Sequence, residues 1–249
     1  MSQNFAGLVA AVTGGASGLG RAIADELASR GARVFCLDLD AAAVSAPHTG
    51  IRCDIGDDAS VRDAMAAVVA EAGRLDVVVA NAGIGAQGDV LANDDDEWMR
   101  VLNVNVIGSA RTIRHALPHL QQSPSAAVVL TSSIAAWAGL PQRVLYSASK
   151  GAVSAMTLAI AADCLPLGIR VNAVAPGTAD TPWVGRLLDA ATDPDAERAA
   201  LAARQPNGRL VQPQEVAEAV AYLASPTSAS TNGVILAVDG GMYSLRPRR

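Results

Sequence analysis

The sequence predicts an α/β fold, an open doubly wound parallel sheet with helices on both faces. Three observations predict it. Short runs rich in Val and Ile recur along the 249 residues, amphipathic stretches of helical length separate them, and the runs are continuously apolar, as strands covered on both faces must be. Right-handed crossovers then wind such a chain into one sheet.

The first run, 8–12, ends in Thr13-Gly14-Gly15-Ala16-Ser17-Gly18-Leu19-Gly20 and leads straight into a helix over 18–30. The second, 33–37, closes on Leu37-Asp38. A helical stretch at 59–72 precedes the run at 75–79, which is followed by Asn81-Ala82-Gly83. The helical pattern at 97–120 carries Val104-Asn105-Val106, and the run at 127–130 is followed by Ser132-Ser133. The helix over 146–165 opens with Tyr146-Ser147-Ala148-Ser149-Lys150, and the run at 169–174 leads to Pro176-Gly177-Thr178. A helix at 213–224 and a run at 234–238 complete the series. With one strand more than these six runs, a seven-stranded parallel sheet is expected.

One region breaks the alternation. Residues 181–210 hold Trp183, two short helical patterns and the turn signals Thr192-Asp193-Pro194 and Pro206-Asn207-Gly208. An excursion at this point overhangs the carboxyl edge of the sheet, where such folds bind ligands, and is expected to be a helical substrate lid. There is no fixed-period repeat and no linker, so residues 1–249 are expected to form a single domain.

Composition narrows the classes. With 51% hydrophobic and 17% charged residues, disordered and disulfide-scaffold chains are excluded. A net charge of -5, from 24 acids against 19 bases, argues against a nucleic-acid partner, although Arg246, Arg248 and Arg249 make a small basic tail. Cys36, Cys53 and Cys164 have no metal-ligand spacing and read as reduced core thiols. Residues 1–11 lack the basic start and apolar stretch of a signal peptide, and no run approaches roughly 18 apolar residues. A cytoplasmic location and no membrane partner are expected.

The strand ends carry the chemistry. Glycines between a strand and a helix let the backbone approach a pyrophosphate, which the free amides and the positive helix end neutralise, although any tight turn also favours glycine. Asp38 lies about 20 residues further on, where a carboxylate accepts hydrogen bonds from adenosine ribose hydroxyls. It would repel a 2'-phosphate, and neither Ser17 nor Leu39 is a base that could hold one, so NAD is expected rather than NADP. Tyr146 and Lys150 are spaced i, i+4 on one helix face, where an ammonium favours the phenolate and makes Tyr146 a usable base.

Taken together these elements resemble the short-chain dehydrogenase/reductase family over the whole chain. The matching residues are Thr13 to Gly20, Asp38, Cys53-Asp54, Asn81 to Gly83, Asn105, Ser133, Tyr146 with Lys150, and Pro176-Gly177 with Thr181. Ala80, where a second Asn is frequent, is the departure. The resemblance implies a Rossmann-type domain, a catalytic tetrad of Asn105, Ser133, Tyr146 and Lys150, and a homotetramer. Ser133 is preferred to Ser132 because it lies 13 residues before Tyr146, as in the family pattern. The implied cofactor contacts are Gly14, Ser17, Gly18, Leu19, Gly20, Asp38, Asp54, Ile55, Asn81, Ala82, Gly83, Tyr146, Lys150, Pro176, Gly177, Thr178 and Thr181, with Asp54 at the adenine and Thr181 at the carboxamide. Lys150 would also hold the nicotinamide ribose, and Asn105 a proton-relaying water. The implied reaction is hydride transfer between a secondary alcohol and NAD.

Arg143, Arg186 and Arg204 are candidates for binding a carboxylate, because a guanidinium fork matches one. The wording 176–183 and 204–209 is similar to a subgroup with type 2 hydroxybutyrate and 2-keto-3-deoxy-L-fuconate dehydrogenases, which use arginines there. A hydroxy acid or sugar acid is therefore favoured. A neutral sugar, polyol or cyclic alcohol is the alternative, and a non-catalytic NAD-binding sensor or scaffold is a third reading that the intact Tyr146 and Lys150 oppose.

Other features take plainer readings. His115 and His119 have zinc-like spacing, but no acid is evident on that face and Pro118 intervenes, so no metal is expected. Asp94, Asp95, Asp96 and Glu97 suit the start of a helix. Trp137 and Trp183 suit either the substrate site or packing.

Overall fold

A computed structural model describes residues 3–189 and 191–246. Arg248 and Arg249 of the basic tail lie outside the described residues. Seven strands, β1 (Val9–Thr13), β2 (Arg33–Asp38), β3 (Thr49–Arg52), β4 (Val77–Ala80), β5 (Ala127–Thr131), β6 (Arg170–Pro176) and β7 (Ile235–Val238), form one sheet. Their order is β3-β2-β1-β4-β5-β6-β7, with every pair parallel. The order reverses between β1 and β4, so a crevice opens at their carboxyl ends.

Every residue of β1, β4 and β5 is buried, which explains the absence of alternation in those runs. Alternate side chains supply two cores. Val9, Ala11, Phe35, Val78 and Val128 pack under α2 (Asp58–Ala72), α4 (Gly108–Leu120) and α5 (Val144–Cys164). Ala10, Val12, Val34, Val79 and Val129 pack under α1 (Gly18–Ser29) and α8 (Pro213–Ala224). The strand beyond the six runs is β3. It lies at the sheet edge, its residues are half-buried and exposed in turn, and Gly50 is there because a Cβ would sit 2.4 Å from the Ala41 carbonyl oxygen.

The pattern at 97–120 is three pieces rather than one helix: α3 (Asp95–Leu102), a π-helical turn over Asn103–Ile107, and α4. Asp94 caps α3, its Oδ1 accepting from Glu97 N at 2.9 Å, and Asp95, Asp96 and Glu97 fill the first turn as the helix dipole favours. The expectation that no acid faces His115 needs correcting. The acid comes from α2: Asp58 Oδ1 lies 3.0 Å from His115 Nε2 and 3.1 Å from Arg114 Nη1. No group of three or more candidate metal ligands occurs among the described residues.

With its extension to Leu167, α5 is long and apolar enough to cross a membrane by length and composition. In this fold it is a core helix, burying Leu145, Ser149, Lys150, Val153 and Thr157 on the side that meets β5 and β6. The excursion between β6 and α8 contains α6 (Pro182–Asp189) and α7 (Pro194–Ala203). Val184, Leu188, Leu201 and Leu210 give it a small core of its own. Its two ends meet: Val211 N donates to Thr178 O at 2.9 Å, and Asp180 N donates to Val211 O at 2.8 Å.

Candidate active site

A cleft of about 660 Å³ runs along the carboxyl edge of the sheet, from the β1–α1 turn to α6 and α7. One end is made mostly of backbone. Gly14 and Gly18 have φ of 67° and 55°, and a Cβ on Gly20 would lie 2.0 Å from Gly14 O. A Cβ on Gly15 would lie 2.7 Å from Cys36 Cβ, so the turn sits directly on β2. Ser17 is the N-cap of α1 without a side-chain cap bond, and no acid occupies the first turn. Those amides are therefore left facing the cleft, as an anion site requires.

Asp38 borders this end. Its Oδ2 accepts from Ala16 N at 3.0 Å and its Oδ1 from Asp40 N at 3.1 Å, so the carboxylate fixes the glycine turn. A carboxylate has about four lone-pair sites, and the rest stay available to a ribose. Across the crevice, the Thr13 hydroxyl accepts from Asn81 N at 3.0 Å and Ala82 N at 3.1 Å, tying β1 to the Asn81-Ala82-Gly83 turn. Asp54, Ile55, Pro176, Gly177, Thr178 and Thr181 line the same cleft. Asp54 Oδ1 accepts from Gly56 N at 2.8 Å. The bare glycines, the uncapped amides and the carboxylate fit a dinucleotide.

Ser133, Tyr146 and Lys150 meet near the middle of the cleft. Ser133 lies two residues past the end of β5 and hydrogen-bonds the Tyr146 side chain. Ser132 turns the other way, its Oγ donating to Lys150 O at 3.0 Å and lying 2.7 Å from Ser154 Oγ. Lys150 is buried, and Nζ donates to Thr131 O at 2.8 Å. Burial pushes its ammonium down to about 8. Burial likewise holds the Tyr146 phenol above its ordinary value, while the Ser133 hydrogen bond and the Arg143 charge pull it down. The Arg143 charge favours the Tyr146 phenolate, and the Lys150 Nζ lies over the same ring, 5.8 Å from its centroid.

Asn105 stands behind the cleft wall, buried in the π-helical turn. Its Oδ1 accepts from Ile84 N at 2.8 Å, and Nδ2 donates to Ile84 O at 2.9 Å and Ser149 Oγ at 3.0 Å. It thereby joins the segment after β4 to α5.

The other end of the cleft is made of side chains. Arg143, Arg186 and Arg204 all line it, and among the described residues none has a carboxylate within 4.0 Å. Burial and then the nearby Arg204 lower the pKa of Arg143, while the charges of Tyr146 and Glu197 oppose them. Trp183 lines the cleft, whereas Trp137 packs on Tyr243 with ring centroids 4.6 Å apart. Gly85, Ala86, Leu140, Leu187 and Leu201 also line the cleft and were not singled out in the sequence. Only Gly85 left a signal there, as a second glycine soon after Gly83.

A Rossmann-like fold with a dinucleotide crevice and a Ser–Tyr–Lys centre defines a class of nicotinamide-dependent oxidoreductases. The family model described as enoyl-(acyl carrier protein) reductase matches residues 14–243. The chain is 45% identical to cis-4-hydroxycyclohexanecarboxylate dehydrogenase of Sinomonas cyclohexanicum, over 97% of this chain and 98% of that one. It is 37% identical to 2-keto-3-deoxy-L-fuconate dehydrogenase of Xanthomonas campestris pv. campestris, over 92% and 78% respectively. The crystal structure of 3-ketoacyl-(acyl-carrier-protein) reductase from Brucella melitensis complexed with NADH matches at a TM-score of 0.88, 31% identical over 96% of this chain and 99% of that one. The chain belongs to the short-chain dehydrogenase/reductase family, oxidoreductases that act on CH–OH groups of small molecules.

Proposed function

We propose that the protein is an NAD-dependent dehydrogenase of a secondary hydroxy acid, with Asn105, Ser133, Tyr146 and Lys150 as its catalytic group. The observation that carries the substrate class is that Arg143, Arg186 and Arg204 all line the cleft that holds Tyr146, none of them in an ion pair among the described residues, with Arg204 close enough to act on Arg143. The relative from Sinomonas acts, by its name, on an alcohol that also bears a carboxylate, which supports the reading.

In the oxidative direction Tyr146 takes the hydroxyl proton and Ser133 holds the substrate oxygen. Lys150 orients the ribose and relays the proton outward past Asn105. The glycine turn and Asp38 would hold NAD, which would supply the hydride acceptor. The arginines hold the carboxylate, so the carbinol carbon arrives in one orientation. Asp38 disfavours NADP by charge.

A neutral alcohol is the second reading, favoured by the exposure of Arg186 and Arg204, which solvated surface arginines share. NADH formation over matched pairs separates the two, for example cis-4-hydroxycyclohexanecarboxylate against cis-4-methylcyclohexanol, together with sugar acids and their sugars. Under the proposal the acids turn over, NAD outperforms NADP, and Arg204→Ala raises KM for acids alone. Turnover of neutral substrates only would overturn it. The assembly proposed is a homotetramer, supported by exposed Ile107, Leu158, Leu165 and Leu167 on or beside the long helices and Tyr222 on α8. The three cysteines, all free and buried, suit a cytoplasmic location.

A further inference from the structure

Trp183 opens α6, yet it does not pack into the small core of the α6–α7 excursion; it stays 42% exposed and lines the cleft. Its indole lies against the backbone of Gly85. A Cβ there would come 2.9 Å from Trp183 Cζ2 and 3.1 Å from Cε2, so a side chain beneath the ring would displace it. On the ring sits the Arg143 guanidinium, its Cζ 5.6 Å from the centroid. The same guanidinium is held at one edge, Nη1 donating to Ala86 O at 3.0 Å. The Arg143 backbone is held too, because Gly88 N donates to Gln142 O at 3.1 Å and Gln142 adopts φ 57°.

A guanidinium over an indole and bonded at one edge to a carbonyl has fewer orientations open to its remaining N–H donors. An arginine side chain otherwise loses much rotamer freedom on binding. We infer that Trp183 is a positioning residue for the acid end of the substrate, seated on Gly85 so that its ring sets the plane in which Arg143 presents its fork. The inference rests on the carboxylate reading above and deepens it, since it ties acid recognition to whether the start of α6 is docked. Arg143 touches the substrate; Trp183 acts through Arg143.

The test compares wild type, Trp183→Phe, Trp183→Ala, Gly85→Ala, Arg143→Ala and the Trp183→Ala/Arg143→Ala double variant. KM and kcat are measured with the best acid of the panel and its neutral counterpart, and folding is checked by thermal melting. Trp183→Ala is expected to raise KM for the acid about three- to tenfold, from loss of one stacked cation. KM for the neutral partner and kcat stay within about twofold, at the level of surface changes. Trp183→Phe keeps most of the acid preference because a flat ring remains. Gly85→Ala reproduces part of the loss with every other side chain intact, and it carries the test should Trp183→Ala fail to fold. In the Arg143→Ala background the Trp183 substitution adds nothing, as coupled neighbours require.

Equal effects of Trp183→Ala on acid and neutral substrates, or an effect that adds in full to Arg143→Ala, would overturn the inference. The two readings fail separately. If Arg143→Ala leaves acid KM unchanged, the carboxylate reading falls and this inference with it. If Arg143→Ala raises it and neither Trp183→Ala nor Gly85→Ala does, the carboxylate reading stands and only the role of Trp183 falls.

Discussion

The two ends of the cleft are built from different material. At the dinucleotide end the walls are main chain: glycines whose Cβ atoms would collide with backbone or with Cys36, amides at the start of α1, and the Thr13 and Asp38 side chains spent on holding that backbone. At the other end the walls are long side chains, Arg143, Arg186, Arg204 and Trp183, drawn from an excursion and from the start of α5. The first end has little tolerance, since an added Cβ on Gly15 or Gly20 meets β2 or the turn's own backbone. The second tolerates change, since one long side chain can be exchanged for another without moving a strand. Under the proposed function, the cofactor is read by shape and the substrate by charge.

The largest effect should come from breaking the rigid end. In Gly20→Ala the new Cβ falls 2.0 Å from Gly14 O, and the turn or the helix has to move. A displacement of that size is expected to weaken cofactor binding by about 100-fold or more, seen as loss of NADH fluorescence enhancement. Smaller, and still at that end, is Asp38→Asn, which removes the charge while keeping an acceptor for Ala16 N. Selectivity for NAD over NADP should fall about 10- to 100-fold, the equivalent of ~1.5–3 kcal/mol for a charged hydrogen bond.

The smallest effect joins the two ends. Tyr146 must ionise to act as base, and burial sets its phenol above the ordinary value, so oxidation should accelerate as the pH rises. Arg143 favours the phenolate. With a neutral substrate, Arg143→Ala should therefore move the rising limb of kcat/KM to higher pH, whereas Arg204→Ala should leave it in place. A limb unmoved by the loss of Arg143 would mean the substrate-end charges do not reach the base.

Much of the rigid end was legible in the sequence because its determinants are local strings: the glycine turn, the acid closing β2, and Tyr146 with Lys150 on one helix. Local strings also gave six strands their places. The seventh, β3, escaped because an edge strand with one exposed face needs no apolar run. The long helix at 97–120 escaped division because a π-helical turn keeps the helical pattern of its neighbours. At the substrate end the three arginines are far apart in the chain, and only the folded α6–α7 excursion places Arg186 and Arg204 on the same cleft as Arg143. Gly85 and Trp183 are distant in the chain, and nothing in either string announces the other. The rise of the Tyr146 phenol comes first from burial, which the spacing of Lys150 along the helix does not carry.

The closed neck of the excursion, where Val211 is bonded to both Thr178 and Asp180, has a consequence for how such a protein changes over time. A loop whose ends are already tied together can lengthen, shorten or be exchanged wholesale with little added closure entropy, since that cost grows only as the logarithm of loop length. Because the tie is made by backbone, it does not depend on which side chains lie between. Residues 180–211 are therefore a transplantable cassette: grafted between equivalent strands of another sheet of this order, they carry Trp183, Arg186 and Arg204 with them but leave Arg143 behind. Under the proposed function, a graft would carry acid recognition only into a recipient that supplies an arginine at that place.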